Sequence, residues 1–293
     1  MSDITEFSKK RLLVVAFEGW NDAGEAASGA VRTLKEQLDV DPITEIDPED
    51  YFDYQFNRPS LASDEEGNRR LIWPSVTMYG PNDESTIHLL IGTEPSRGWK
   101  TFTSEILDAM ESVEISGIVF LGAMLADVPH SRPISVFLSS DNALVREQLG
   151  IERSTYEGPV GILSVLADAA EKAGIPTLSI WASVPHYVHN APSPKATLAL
   201  IEKLEEIIDV VIPRGDLVGE AAAWESGIDA LAGDDDDMAS YIQQLEQARD
   251  TVDSPEASGE AIAQEFERYL RRGGDGKADG GAAREDPWRP KDT

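Results

Sequence analysis

The chain has 293 residues, 41% of them hydrophobic, with 54 acidic against 25 basic side chains and a formal net charge of −29. That charge repels phosphate backbones and anionic lipid over long range, which argues against nucleic acid and membrane surface and leaves a basic or neutral partner. The absence of cysteine removes thiol catalysis, disulfides and thiolate metal sites.

In chain order, the polar start Met1 to Lys10 lacks the apolar core of a signal peptide. No run approaches the roughly 18 apolar residues of a membrane span, so the chain reads as cytoplasmic. Leu12 to Phe17 is an unbroken apolar run, as expected of a strand buried on both faces. A glycine turn follows, with Asp22 as helix cap, and then small residues leading to Val31, Leu34 and Leu38 at helical spacing: the first half of a βαβ unit. Ile43 to Ile46 reads as a short strand, and a polar loop runs through Asn68. Leu71 to Tyr79 and Thr86 to Gly92, joined by Gly80-Pro81-Asn82-Asp83, read as a hairpin, which makes the sheet mixed. A helix near Thr101 to Ser112 leads to a second buried strand at Gly117 to Met124.

Pro133 to Ser139 is a further strand, and Asp141 is placed to cap a short helix ending at Gly150. A helix follows Gly161, Pro176 to Ala182 is the next strand, and Ser193-Pro194 supplies a cap and first-turn proline for another helix. From Asp216 the strand signal stops. Helices are expected over Leu217 to Leu231, Met238 to Arg249 and from Ser254 onward, with a disordered tail at 273–293. The expected architecture is an α/β core over 1–215 with a mostly parallel, mixed sheet flanked by helices, and a C-terminal helical appendage over 216–272. The strands beginning near Leu12, Ile118 and Thr177 are expected side by side and aligned, so that their exits crowd one edge.

Two strand exits share one text, since Phe120 to His130 reads FLGAMLADVPH and Ile180 to His186 reads IWASVPH. His130 and His186 should therefore emerge at one rim, with Asp127, Arg132 and His189 nearby. Histidine beside carboxylate can move protons or bind a divalent ion near neutral pH, which points to an acid–base or metal pocket. Alternatively, proline ends each strand and the histidine nitrogens satisfy loose backbone groups. In the first turn, carboxylates already occupy the helix N-terminus, which disfavours a nucleotide phosphate. Asn21 belongs to this turn, and Glu18 and Trp20 remain as candidates for a cation, sugar or partner surface. Trp99 could line the same crevice. Gly158-Pro159-Val160-Gly161 lacks the residues of a P-loop or a dinucleotide fingerprint, and no nucleophile elbow or zinc-binding helix occurs. No catalytic residue, metal or cofactor is assigned.

The segments FEGWNDAG, DYQFNRP (Asp53 to Pro59), LADVPHSRP (Leu125 to Pro133), YEGPVG (Tyr156 to Gly161) and WASVPHYVHNAPSPKATLAL (Trp181 to Leu200) resemble the proteasome assembly chaperone 2 family, and within it the actinobacterial branch. The resemblance covers roughly Leu12 to Ile212. It implies a core of the nucleoside-phosphorylase kind, a helical C-terminal addition and a homo-oligomer, with a trimer favoured. It also implies a role exercised by binding proteins, since relatives act on proteasome subunits or their assembly. Relatives that dock into proteasome pockets end in a hydrophobic-Tyr-any residue motif, whereas this chain ends Arg289-Pro290-Lys291-Asp292-Thr293. Two functions follow as expectations. One is a non-enzymatic, oligomeric, assembly-chaperone-like binding protein. The other is a small-molecule-binding protein or a hydrolase- or phosphorylase-like enzyme using a pocket at the carboxyl ends of the strands. Glu18, Asp127, His130 and His186 would be its polar residues and Trp20 or Trp99 its apolar wall.

Overall fold

The computed structural model describes residues 10–64, 67–83 and 85–252. The helix expected from Ser254 onward and the tail at 273–293 lie outside them.

Leu12–Glu18 is a strand, β1, and its apolar run is buried throughout. Alternate side chains feed two separate cores, as a period of two requires. Leu12, Val14 and Ala16 enter one core with Ala27, Val31 and Leu34 of helix α1 (Ala26–Gln37). Leu13, Val15 and Phe17 enter the other, with Phe102, Ile106 and Met110 of α2 (Trp99–Ser112). A strand packed on both faces has no wet side, hence no polar alternation in its sequence.

The remaining strands are β2 (Val40–Ile46), β3 (Ser60–Ser63), β4 (Arg69–Ile72), β5 (Val76–Pro81), β6 (Ile87–Thr93), β7 (Gly117–Ala126), β8 (Val136–Ser139) and β9 (Thr177–Pro185). Six of them and β1 form one mixed sheet in the order β2-β5-β6-β1-β7-β9-β8. β6, β1, β7 and β9 are parallel, with Leu13 beside Ile118 and Ile118 beside Thr177, so the three buried strands lie adjacent and aligned. The antiparallel strands β2, β5 and β8 complete the two edges. Helices α3 (Ala143–Leu149), α4 (Ile162–Lys172) and α5 (Pro194–Ile208) follow in the chain. α4 adds Ile162, Leu163 and Leu166 to the α2 core, and α5 adds Leu200, Ile201 and Leu204 to the α1 core.

Several local expectations change. Leu71 to Tyr79 is not one strand, because Trp73-Pro74-Ser75 separates β4 from β5, and Pro74 has no N–H to give a ladder. β4 pairs instead with β3, a strand in the expected polar loop, to form a separate two-stranded hairpin with Leu61 opposite Leu71. Asn142 rather than Asp141 caps α3, its Oδ1 accepting from the N–H groups of Leu144 (3.1 Å) and Val145 (3.2 Å). The Ser193 hydroxyl does not cap α5; its backbone N–H donates to the Gly24 carbonyl at 2.7 Å, tying the start of α5 to the first turn.

The appendage begins with α6 (Leu217–Gly233), which packs on α5 through Leu217, Ala221, Ile228 and Ala232. α7 (Asp236–Val252) follows, begun by Asp235, whose Oδ1 accepts from the N–H groups of Asp237 and Met238. Only Ile242 and Leu245 of α7 are buried, so its attachment relies on polar contacts.

Candidate functional site

The parallel strands deliver their carboxyl ends to one rim, where the sequence-predicted residues separate into distinct groups. The first turn carries Glu18, Trp20 and Asn21. The Asp22 carboxylate accepts from the N–H groups of Ala27 (2.8 Å) and Ser28 (3.0 Å), the expected cap of α1, reached from a short preceding 3-10 turn. Burial pushes the Asp22 carboxyl above its ordinary value, although hydrogen bonds from Ser28 and Ala27 and the charge of Arg32 pull the other way. The Asn21 carbonyl accepts from Ala123 N–H at 2.8 Å, anchoring the turn to β7. The buried Asn21 side chain lies against Gly161, where an added Cβ would come within 2.1 Å of Nδ2. Trp20 is exposed. Trp99 lies elsewhere, at the start of α2, its indole N–H donating to the Pro95 carbonyl at 2.6 Å while its ring packs on the α2 core.

His130 and His186 do come together, around a residue that sequence reading missed. Their rings sit 5.9 and 5.8 Å from that of Tyr187, both edge-on. The His130 N–H donates to the Tyr187 hydroxyl at 2.7 Å, which leaves the phenol to donate to His130 Nδ1 at 2.8 Å. The other ring nitrogen, Nε2, stands 3.0 Å from Asp229 Oδ1 of α6. His130 is 1% exposed and both of its nitrogens are bonded. Burial pushes the Tyr187 phenol up to about 12, so it keeps its proton at neutral pH. His186 faces the Asp127 carboxylate at 3.4 Å and the Tyr241 ring of α7 at 5.7 Å. His189 turns back on its own loop, with Nδ1 2.8 Å from the His186 carbonyl.

The same rim is where the appendage attaches. Lys195 donates to the His130 carbonyl at 2.6 Å and pairs with Glu225 of α6. Arg132 grips Asp250 of α7 with two parallel bonds, at 2.8 and 2.9 Å, and Glu246 with a third at 3.2 Å. Ser131 donates to Glu246, and Arg249 donates to Ser135. Chemically, this arrangement holds two helices over the strand ends; its tyrosine and buried histidine are bonded to one another and to Asp229. Among the described residues, no group of three or more His, Asp or Glu side chains is placed to hold a metal ion.

The Asp250–Arg132 pair sets a pH dependence. The hydrogen bond from Arg132 is the main reason the Asp250 carboxyl lies below its ordinary value of 3.8. A depressed carboxylate contributes its stabilisation in full above the unfolded value and loses it as pH falls through the folded one. The near-ultraviolet circular dichroism of the tyrosine cluster should therefore hold down to about pH 4 and decline below it. Arg132→Gln should show a weakened signal already at pH 6. An Arg132→Gln signal matching the parent at both pH values would show that this pair does not hold α7.

A cavity of about 610 Å³ opens at the ends of β1 and β6, on the α1 side of the sheet, and Glu18 alone of the candidate residues lines it. Glu18 accepts from Arg32 of α1, and its Oε2 accepts from Thr93 Oγ1 at 3.2 Å. The other lining residues come from α1, β5, β6, the β3–β4 hairpin, the segment before β3 and the link from β4 to β5.

Comparison with known proteins gives a consistent result. The model of the PAC2 family matches residues 16–232. The structure is similar to that of a PAC2 family protein from Streptomyces avermitilis, at 41% identity and a TM-score of 0.72, covering 79% of this chain and 99% of that one. It is equally similar in sequence, 41%, to a proteasome-assembly chaperone homologue from Mycobacterium tuberculosis, with a TM-score of 0.70 and the same coverage. A second Mycobacterium tuberculosis protein, of unknown function, matches 89% of each chain at 26% identity and a TM-score of 0.77. No curated protein matches the sequence.

Proposed function

Because the chain belongs to the PAC2 family, we propose that it works by binding proteins, as a cytoplasmic, oligomeric, assembly-chaperone-like protein, a homotrimer being the expected state. The description of the Mycobacterium tuberculosis relative as a proteasome-assembly chaperone homologue supports this reading. The observation that carries it is the use made of the rim. His130, one of the two histidines that the sequence offered for acid–base chemistry, is buried and bonded to Tyr187 and to Asp229 of α6, so it fixes the appendage.

The β3–β4 hairpin supplies a surface for such contacts. Leu61, Leu71, Ile72 and Trp73 are each about half exposed, and Phe56 beside them is 83% exposed. A lone two-stranded hairpin is marginal in water, so an arm of this kind gains stability when a partner covers it. Crosslinking mass spectrometry of the tagged protein in native cytosol should recover links from this arm, and light scattering should give a mass three times that of the chain. Leu61→Ser with Leu71→Ser should reduce partner links by about tenfold while leaving the thermal midpoint of the chain unchanged, since both side chains are already exposed. A monomer that recovers only itself at every salt concentration would refute the proposal.

A further inference from the structure

We propose that the cavity beside Glu18 binds a small organic anion with a flat, apolar body. Its position comes from topology. β1 and β6 are adjacent and parallel, yet the helix after β1 goes to one face of the sheet and the helix after β6 to the other. Strand ends that part in this way leave a crevice between them, the usual ligand position in open α/β sheets. The Glu18–Thr93 hydrogen bond lies across this parting. At about 610 Å³ the space has the size of ordinary small-molecule sites.

The charge of the lining gives the sign of the ligand. The whole chain carries about two acidic side chains for each basic one, while the cavity reverses this, with Arg32, Lys35 and Arg58 against Glu18 alone. Glu18 and Glu25 are both engaged by Arg32, so neither offsets the other two cations. Lys35 donates to the Tyr79 hydroxyl at 3.0 Å and stands 4.4 Å over its ring, a neutral partner that leaves its charge in place. Arg58 makes no hydrogen bond or ion pair among the described residues. Two uncompensated cations thus face one concave space, in a protein whose field otherwise repels anions.

The shape of the ligand follows from the walls. β5 alternates, with Val76 and Met78 directed into the α2 core and Thr77 and Tyr79 forming the cavity floor. Ile72, Trp73 and Ile91 supply apolar sides, and Trp73 keeps 44% of its surface exposed. A planar ring between Trp73 and Tyr79 would place an anionic group between Lys35 and Arg58.

The test is calorimetric titration of the full chain with 2-naphthoate, its neutral analogue 2-naphthalenemethanol and its cationic analogue 2-naphthylmethylammonium. 2-Naphthoate should bind once per chain with a dissociation constant at or below about 1 mM. The alcohol should bind at least about tenfold more weakly and the cation should not bind. 2-Naphthyl phosphate, run alongside, ranks carboxylate against phosphate as the headgroup. Lys35→Gln and Arg58→Gln should each weaken 2-naphthoate by about three- to tenfold, and the double variant should abolish its binding without moving the thermal midpoint. Equal binding of the three naphthalenes, or full 2-naphthoate affinity in the double variant, would overturn the assignment.

Discussion

Replacing His130 with alanine is expected to lower the thermal midpoint by about 5–10 °C, corresponding to about 2–3 kcal/mol in a protein of this size. The ring is 1% exposed and stands between Tyr187, on the β9 exit, and Asp229, on α6. Removing it leaves the buried phenol without its acceptor and opens a space the size of an imidazole, and these two losses combine. Asp229→Asn should cost far less, because that carboxylate is 61% exposed and water replaces the lost bond. Hydrogen exchange should show the damage confined to α6 and α7 in His130→Ala, with the sheet unaffected. A midpoint within about 1 °C of the parent would mean that packing of α6 on α5, rather than the histidine, holds the appendage.

Gly92→Ala is expected to be the more damaging change, at about 3 kcal/mol or more. A Cβ at this position would come within 2.2 Å of the Ser75 carbonyl oxygen and 2.5 Å of Val76 Cα. Both are backbone atoms, one of Val76, which stands opposite Gly92 in the register, and one of the residue just before β5, so no rotamer change relieves the contact. The expected result is a sharp fall in the urea midpoint, with loss of the cavity wall formed by β5. Gly219→Ala is the control. It lies within α6 with nothing within 4 Å of the added Cβ, and should stabilise by about 0.5–1 kcal/mol through helix propensity. Equal midpoints for Gly92→Ala and the parent would show that the Ser75–Val76 backbone gives way freely.

The sheet was readable in the sequence because burial on two faces leaves a strong signature. Leu12 to Phe17 and Gly117 to Met124 carry unbroken apolar runs, Thr177 to Ala182 is mostly apolar with Thr177 and Ser179 among its residues, and all three proved adjacent and parallel. The repeated Val-Pro-His exit likewise led to two rings that share Tyr187. What covers those rings was not readable, because Asp229 and Glu246 are separated from their partners by 99 and 115 residues and carry no local signal. The β3–β4 hairpin was missed for the opposite reason. Its strands have no buried face, so neither alternation nor an apolar run marks them. The cavity escaped because Arg32, Lys35 and Arg58 form no motif; only folding brings α1 and the segment before β3 to one place.

The central position of β1 bears on how the protein is made. Among the described strands it is the first to be synthesised, yet Leu12 must wait for Ile87 on one side and Gly117 on the other. Until both are synthesised, the hexapeptide Leu12 to Phe17 remains without a neighbour, and pairings so distant along the chain form slowly. A nascent chain in that condition exposes its stickiest segment for longest, so recovery of soluble protein should improve with slower translation or lower temperature.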